Sequence, residues 1–114
     1  MNVYDEGDGV ELRVRLFDAS KVRPAVPATV HWRLDCDTTG RQLQDWTDLI
    51  VETVTGISGL AQVYVDVDVD GQLNDIQQNG NSSEQKTVQV VADKDTPRQF
   101  SGLFTYRVRN RRGR

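Results

Sequence analysis

The alternation of apolar and polar residues predicts an all-β fold, an antiparallel immunoglobulin-like or fibronectin-like β-sandwich of about seven strands, with a small barrel as the second choice. Three observations carry this. Runs with a period of two recur along the chain, turn signals separate them every ten to twenty residues, and no segment keeps a convincing helical period. At 114 residues the chain has room for one domain of ordinary size.

The first strand is read at Val10–Phe17, where Val10, Leu12, Val14 and Leu16 alternate with Glu11, Arg13 and Arg15. Residues 1–9 before it carry Asp5, Glu6 and Asp8 without a base and read as a flexible acidic arm. Pro24 and Pro27 bracket an extended connection, because proline cannot serve a central ladder. The next strand, Ala28–Asp35, puts Val30, Trp32 and Leu34 on one face and His31 and Arg33 on the other. Thr38–Arg41 is a turn in which Gly40 is free to take positive φ. Over Arg41–Glu52, Leu43, Trp46 and Ile50 fall at helical spacing, yet the β-rich run Leu49–Thr55 favours extended chain, and the strand reading is preferred.

Leu60–Val69 is the most regular strand, with Val63, Val65, Val67 and Val69 facing one way and Tyr64, Asp66 and Asp68 the other. The polar stretch Asp70–Ser83, which includes Asn79-Gly80, is a long loop or pair of turns. Glu84–Val91 alternates through Val88 and Val90. Gly102–Asn110 alternates through Phe104, Tyr106 and Val108, with Thr105, Arg107 and Arg109 opposite. The sandwich is thus expected over 10–110, followed by a basic tail at 111–114. The expected core is Val14, Val30, Trp32, Leu34, Val65, Val88 and Val108, and Trp46 is expected to join Trp32 inside.

Composition narrows the function. The single Cys36 cannot form an intrachain disulfide, and His31, the one histidine, lies five positions away on the same strand. That spacing separates the pair by about 16 Å and puts them on opposite faces, so they cannot exchange a proton. No nucleophile elbow or phosphate-cradling glycine loop is present, and with 17 acidic residues no carboxylate pair stands out as catalytic. The expectation is a non-enzymatic protein with no cofactor and no metal. A net charge of -3 argues against a nucleic-acid binder, and the lack of a long apolar run or a signal-peptide pattern argues against membrane insertion or conventional secretion.

Asp66-Val-Asp-Val-Asp-Gly71 matches the opening of a calcium loop, but Gln77 stands where a bidentate glutamate should close it, and the valines continue the strand alternation. The segment is therefore read as a strand with an acidic outer face. The candidate interaction residues are Asp66 and Asp68 on that face, together with the basic run Arg107, Arg109, Arg111, Arg112 and Arg114, whose guanidinium groups pair bidentately with acidic partners.

Pro27-Ala-Thr-Val-His-Trp-Arg-Leu-Asp35, Thr39-Gly-Arg41 and Asp45-Trp-Thr47, continued by Thr87-Val-Gln-Val-Val-Ala92 and Tyr106-Arg-Val-Arg-Asn110, form a combination that resembles small immunoglobulin-like virion proteins of tailed bacteriophages. The resemblance runs over residues 10–110. It implies an accessory structural subunit on the capsid exterior, at the head-to-tail connector or on short tail fibres, assembled in the host cytoplasm. Its implied partners are portal, adaptor, tail or capsid subunits and copies of itself. It implies no catalytic residue, and it assigns no role to the aspartate strand or the arginine run. The rival expectation is a carbohydrate-binding or host-surface adhesion module, in which Tyr64 or Trp46 would stack on a glycan.

Overall fold

The computed structural model describes residues 2–16, 27–55 and 61–110. In chain order the strands are β1 (Asn2–Asp5), β2 (Val10–Arg15), β3 (Val30–Cys36), β4 (Arg41–Asp48), β5 (Glu52–Thr55), β6 (Ala61–Val69), β7 (Ser83–Ala92) and β8 (Phe100–Arg109), with a 3₁₀ turn at Gly71–Asn74. No α-helix occurs among the described residues, so the ambiguous segment 41–48 is strand. Two sheets form, a five-stranded one in the order β1-β8-β7-β3-β4 and a three-stranded one in the order β2-β6-β5.

The inner faces of the two sheets share one core. Val10, Leu16, Val63, Val65, Val67 and Val69 come from the smaller sheet and its flank, and Val30, Trp32, Leu34, Val88, Val90, Tyr106 and Val108 from the larger. The register explains the meeting: Trp32 lies opposite Val90 and Leu34 opposite Val88 on neighbouring strands, and Val65 lies opposite Val14. Trp32 retains only 7% of its exposure. Val14, expected inside, is half-buried because β2 is an edge of the three-stranded sheet.

Two further expectations are corrected. Residues 2–5 are not a free arm but strand β1, which pairs with β8 in parallel, Asn2 opposite Tyr106 and Asp5 opposite Arg109. The larger sheet is therefore mixed rather than purely antiparallel. Tyr4 closes this edge by meeting Tyr106 edge-on, with ring centroids 5.5 Å apart and planes at 89°. Trp46 is the second correction. Register shifts between Trp32 and Leu34 and between Leu34 and Asp35 turn the β4 side chains out of a simple alternation. Trp46 ends half-buried and outside the core, its ring centroid 5.5 Å from the Arg33 guanidinium and 5.2 Å from Lys94 Nζ.

The chain leaves β1 through Glu6–Gly9, where Gly7 takes φ +87. Gly7 N–H donates to Asn74 O at 3.1 Å, and a Cβ at Gly71 would overlap the Gly7 carbonyl oxygen. A glycine at 71 is what lets the first connection press against the 3₁₀ turn.

Candidate functional site

The arginine run is divided by the fold. Arg109 reaches back across the parallel pairing and donates to Asp5 Oδ1 from Nε at 3.0 Å and from Nη2 at 2.7 Å. Arg107 donates from Nη1 to Ser83 Oγ at 3.0 Å. The acidic and basic ends of the sequence thus meet within one molecule. Arg111, Arg112 and Arg114 lie outside the described residues.

Asp66 is likewise engaged. Arg13, directly opposite on β2, donates from Nε to Asp66 Oδ1 at 3.0 Å and from Nη2 to Oδ2 at 3.4 Å. The same guanidinium lies 4.1 Å from the Tyr64 ring centroid. The hydrogen bond to Asp66 raises the Arg13 pKa, and a hydrogen bond to Glu52 raises that of Tyr64. Two residues along the ladder Asp68 faces Glu11, so two exposed carboxylates stand opposite each other, an arrangement that costs stability in isolation. With Gly9, Asp70 and Gly71 they line an open depression at the end of β6. Asp70 itself caps the 3₁₀ turn by accepting from Gln72 N–H at 2.9 Å. The aspartates are thus split between an ion pair, an open face and a cap, as expected of a strand running to Val69.

The outer face of the larger sheet is the other exposed surface. Arg33 donates to Asp35 at 2.9 and 2.6 Å, which raises its pKa. Leu103, on the opposite phase of β8 from Phe104, is 71% exposed, and Val3 on β1 is 54% exposed. Rows of Thr87 and Thr105, whose hydroxyls lie 3.1 Å apart, and of Gln89 opposite Leu103 fill the space between. Asp45 near Trp46 is held below its ordinary pKa, first by the Trp46 N–H, then by Gln42 and by Arg33 and Lys94.

Inside lies a polar group that the sequence reading missed. Glu84, Lys86 and Asn74 are fully buried, beside buried Cys36 and Tyr106. Glu84 Oε1 accepts from Gln77 N–H at 2.6 Å and from Cys36 Sγ at 3.7 Å, while Oε2 accepts from Gln78 N–H at 2.9 Å and Asn81 Nδ2 at 3.0 Å. Lys86 Nζ donates to the carbonyls of Leu73 at 3.0 Å and Asp75 at 2.7 Å. Tyr106 donates to Asn74 Oδ1 at 2.6 Å, and Asn74 Nδ2 to Asp8 O at 2.7 Å. Burial pushes the Glu84 pKa up, but the donors from Gln77, Gln78 and Asn81, with Lys86 nearby, outweigh it and hold the carboxyl below its ordinary value. Burial lowers the Lys86 pKa against the pull of Cys36, Glu84, Asp75 and Glu6, and raises that of Tyr106.

These groups fasten the 71–82 connection to β7 and β8; every polar atom named above has a partner within the chain. They are a clasp, with their polar atoms turned to main chain and to neighbouring side chains rather than to an open cleft. The signal was present in the sequence, since Glu84 and Lys86 continue the inward phase of Val88 and Val90 on one strand. No family model, curated protein or solved structure matches this chain.

Proposed function

We propose that this protein is a non-enzymatic, immunoglobulin-like accessory subunit of a bacteriophage particle, held on the capsid exterior, at the head-to-tail connector or on the tail. The observation that carries the reading is the strand order. A β2-β6-β5 sheet facing a β1-β8-β7-β3-β4 sheet corresponds to immunoglobulin strands B, E, D against A′, G, F, C, C′. That is the fold which the resemblance of the Trp32 and Trp46 segments to phage virion modules implies.

Two details support the correspondence. Trp32 is buried on β3, the strand equivalent to C, where this fold places its core tryptophan. At the corner entering β7, the F equivalent, immunoglobulin domains often use a tyrosine that bonds upstream main chain. Here the Glu84 carboxylate does that, accepting from Gln77 and Gln78 N–H. The usual inter-sheet disulfide has no counterpart, because Cys36 is the chain's one cysteine.

A module of this kind works through sheet faces and edges, and the exposed Leu103, Val3, Glu11 and Asp68 supply apolar and charged contact points. The adhesion reading is less well supported. Stacking a sugar needs a free aromatic face, and Arg13 lies over Tyr64 while Arg33 and Lys94 flank Trp46. The test is co-sedimentation of the purified protein with particles from a phage deleted for it, run beside a glycan array. Saturable binding to particles with a blank array supports the proposal. Glycan binding without particle binding overturns it in favour of adhesion.

A further inference from the structure

The turn that closes over Glu84 carries a covalent lability. Asn79 and Gly80 are the central residues of a turn closed by Asn81 N–H donating to Gln78 O at 3.1 Å. Both are exposed, Gly80 has φ +101, and nothing stands within 4 Å of where its Cβ would be. A main-chain nitrogen that follows asparagine and belongs to glycine is the least hindered nucleophile toward that asparagine's carboxamide. This pair also lies between two groups, Gln78 N–H and Asn81 Nδ2, that bond the same Glu84 oxygen at 2.9 and 3.0 Å.

We propose that Asn79 is a self-modifying site whose conversion to isoaspartate loosens the clasp on Glu84. The Gly80 nitrogen gives its proton to solvent and bonds to Asn79 Cγ, the Cγ–Nδ2 bond breaks, and ammonia leaves a cyclic imide. Water then opens the ring. Attack at the side-chain carbonyl yields aspartate; attack at the main-chain carbonyl yields isoaspartate, with the backbone rerouted through Cβ and Cγ. Nothing is oxidised or reduced. Both products gain a carboxylate, but only isoaspartate lengthens the main chain between the donors that hold Glu84.

Three of the other four asparagines are held by bonds, and the fourth, Asn2, is exposed but precedes the β-branched Val3. Asn74 is fully buried with both carboxamide atoms engaged, Asn81 Nδ2 is held by Glu84, and Asn110 Nδ2 donates to Asn81 O at 3.1 Å. Their successors, Asp75, Ser82 and Arg111, are also bulkier than glycine.

The full chain is incubated at mildly alkaline pH, separated by anion exchange, mapped by mass spectrometry with isoaspartyl methyltransferase labelling, and unfolded in urea beside Asn79→Asp and Asn79→Gln. Acid is expected at Asn79 ahead of Asn74, Asn81 and Asn110. The isoaspartyl fraction should show a folding constant lower by about tenfold, as expected for weakened hydrogen bonds to a buried charge, with Asn79→Asp close to fresh protein and Asn79→Gln resistant to ageing. Modification at Asn79 no faster than at Asn81 overturns the site. An isoaspartyl fraction as stable as fresh protein, or an Asn79→Asp variant as weak as the aged one, overturns the link to the clasp.

Discussion

Glu84 shows how a charged side chain becomes part of a β core. A buried carboxylate is tolerated only when its oxygens are satisfied, and here main-chain and amide donors from 77–81 do so. Because the folded-state pKa lies below the unfolded one, the unfolded chain binds the proton more readily. The contribution is therefore complete above the unfolded value of about 4.3 and is lost as pH falls through the folded value. Urea unfolding of wild type and Glu84→Gln across pH 3–7, a range set by about these values, should give curves that converge on acidification. A constant gap down to the lowest pH would contradict the assignment. Trp32 makes the complementary case for apolar burial: Trp32→Ala should cost about 3–5 kcal/mol through its cavity. A loss below about 1 kcal/mol would place the ring at the surface.

At the scale of the element, β1 is the piece whose removal is most informative. It covers the outer edge of β8, sets Tyr4 edge-on to Tyr106 and pairs Asp5 with Arg109. Deleting residues 1–5 should leave a folded but weaker chain whose exposed β8 edge self-associates, because an uncovered strand edge is a template for pairing. Analytical ultracentrifugation reads this directly. A monomer as stable as wild type would mean that β1 contributes neither packing nor protection.

This strand was not legible in the sequence. Four residues, Asn2-Val-Tyr-Asp5, are too few to establish a period, and a parallel partner about a hundred positions away leaves no local signal. Strands β2, β3, β6, β7 and β8 were legible because each alternates against one buried face for several residues. Trp46 was misplaced for a related reason: the register shifts beside Leu34 break the phase from which its side was inferred. The outward phase of Asp66 and Asp68 on β6 was legible, but the pairing of Asp66 with Arg13 depends on which strand lies beside β6, and periodicity is silent on that. Glu84 and Lys86 are in phase with the core, but their charge argues against burial, so the alternation alone does not place them inside.

For the whole molecule, the segregated charge of the sequence changes meaning once folded. Arg107, Arg109, Asp5, Asp66 and Arg13 bond within the chain, and Glu11 and Asp68 face each other as an exposed acidic pair among the described residues. Contacts made by such exposed charges weaken as salt screens them, whereas contacts through Leu103 and Val3 do not. A salt series in the co-sedimentation experiment separates the two faces: Glu11→Gln with Asp68→Asn should flatten the salt dependence if the acidic face docks, and Leu103→Asp should reduce binding at all salt concentrations if the larger sheet does. The proposed residence in a virion is tested by a quantitative mass-spectrometric inventory of purified particles from a phage that carries this coding sequence. The expected result is this chain in several copies per particle, retained through gradient purification. Its absence from particles that contain their other structural proteins would contradict residence in the virion.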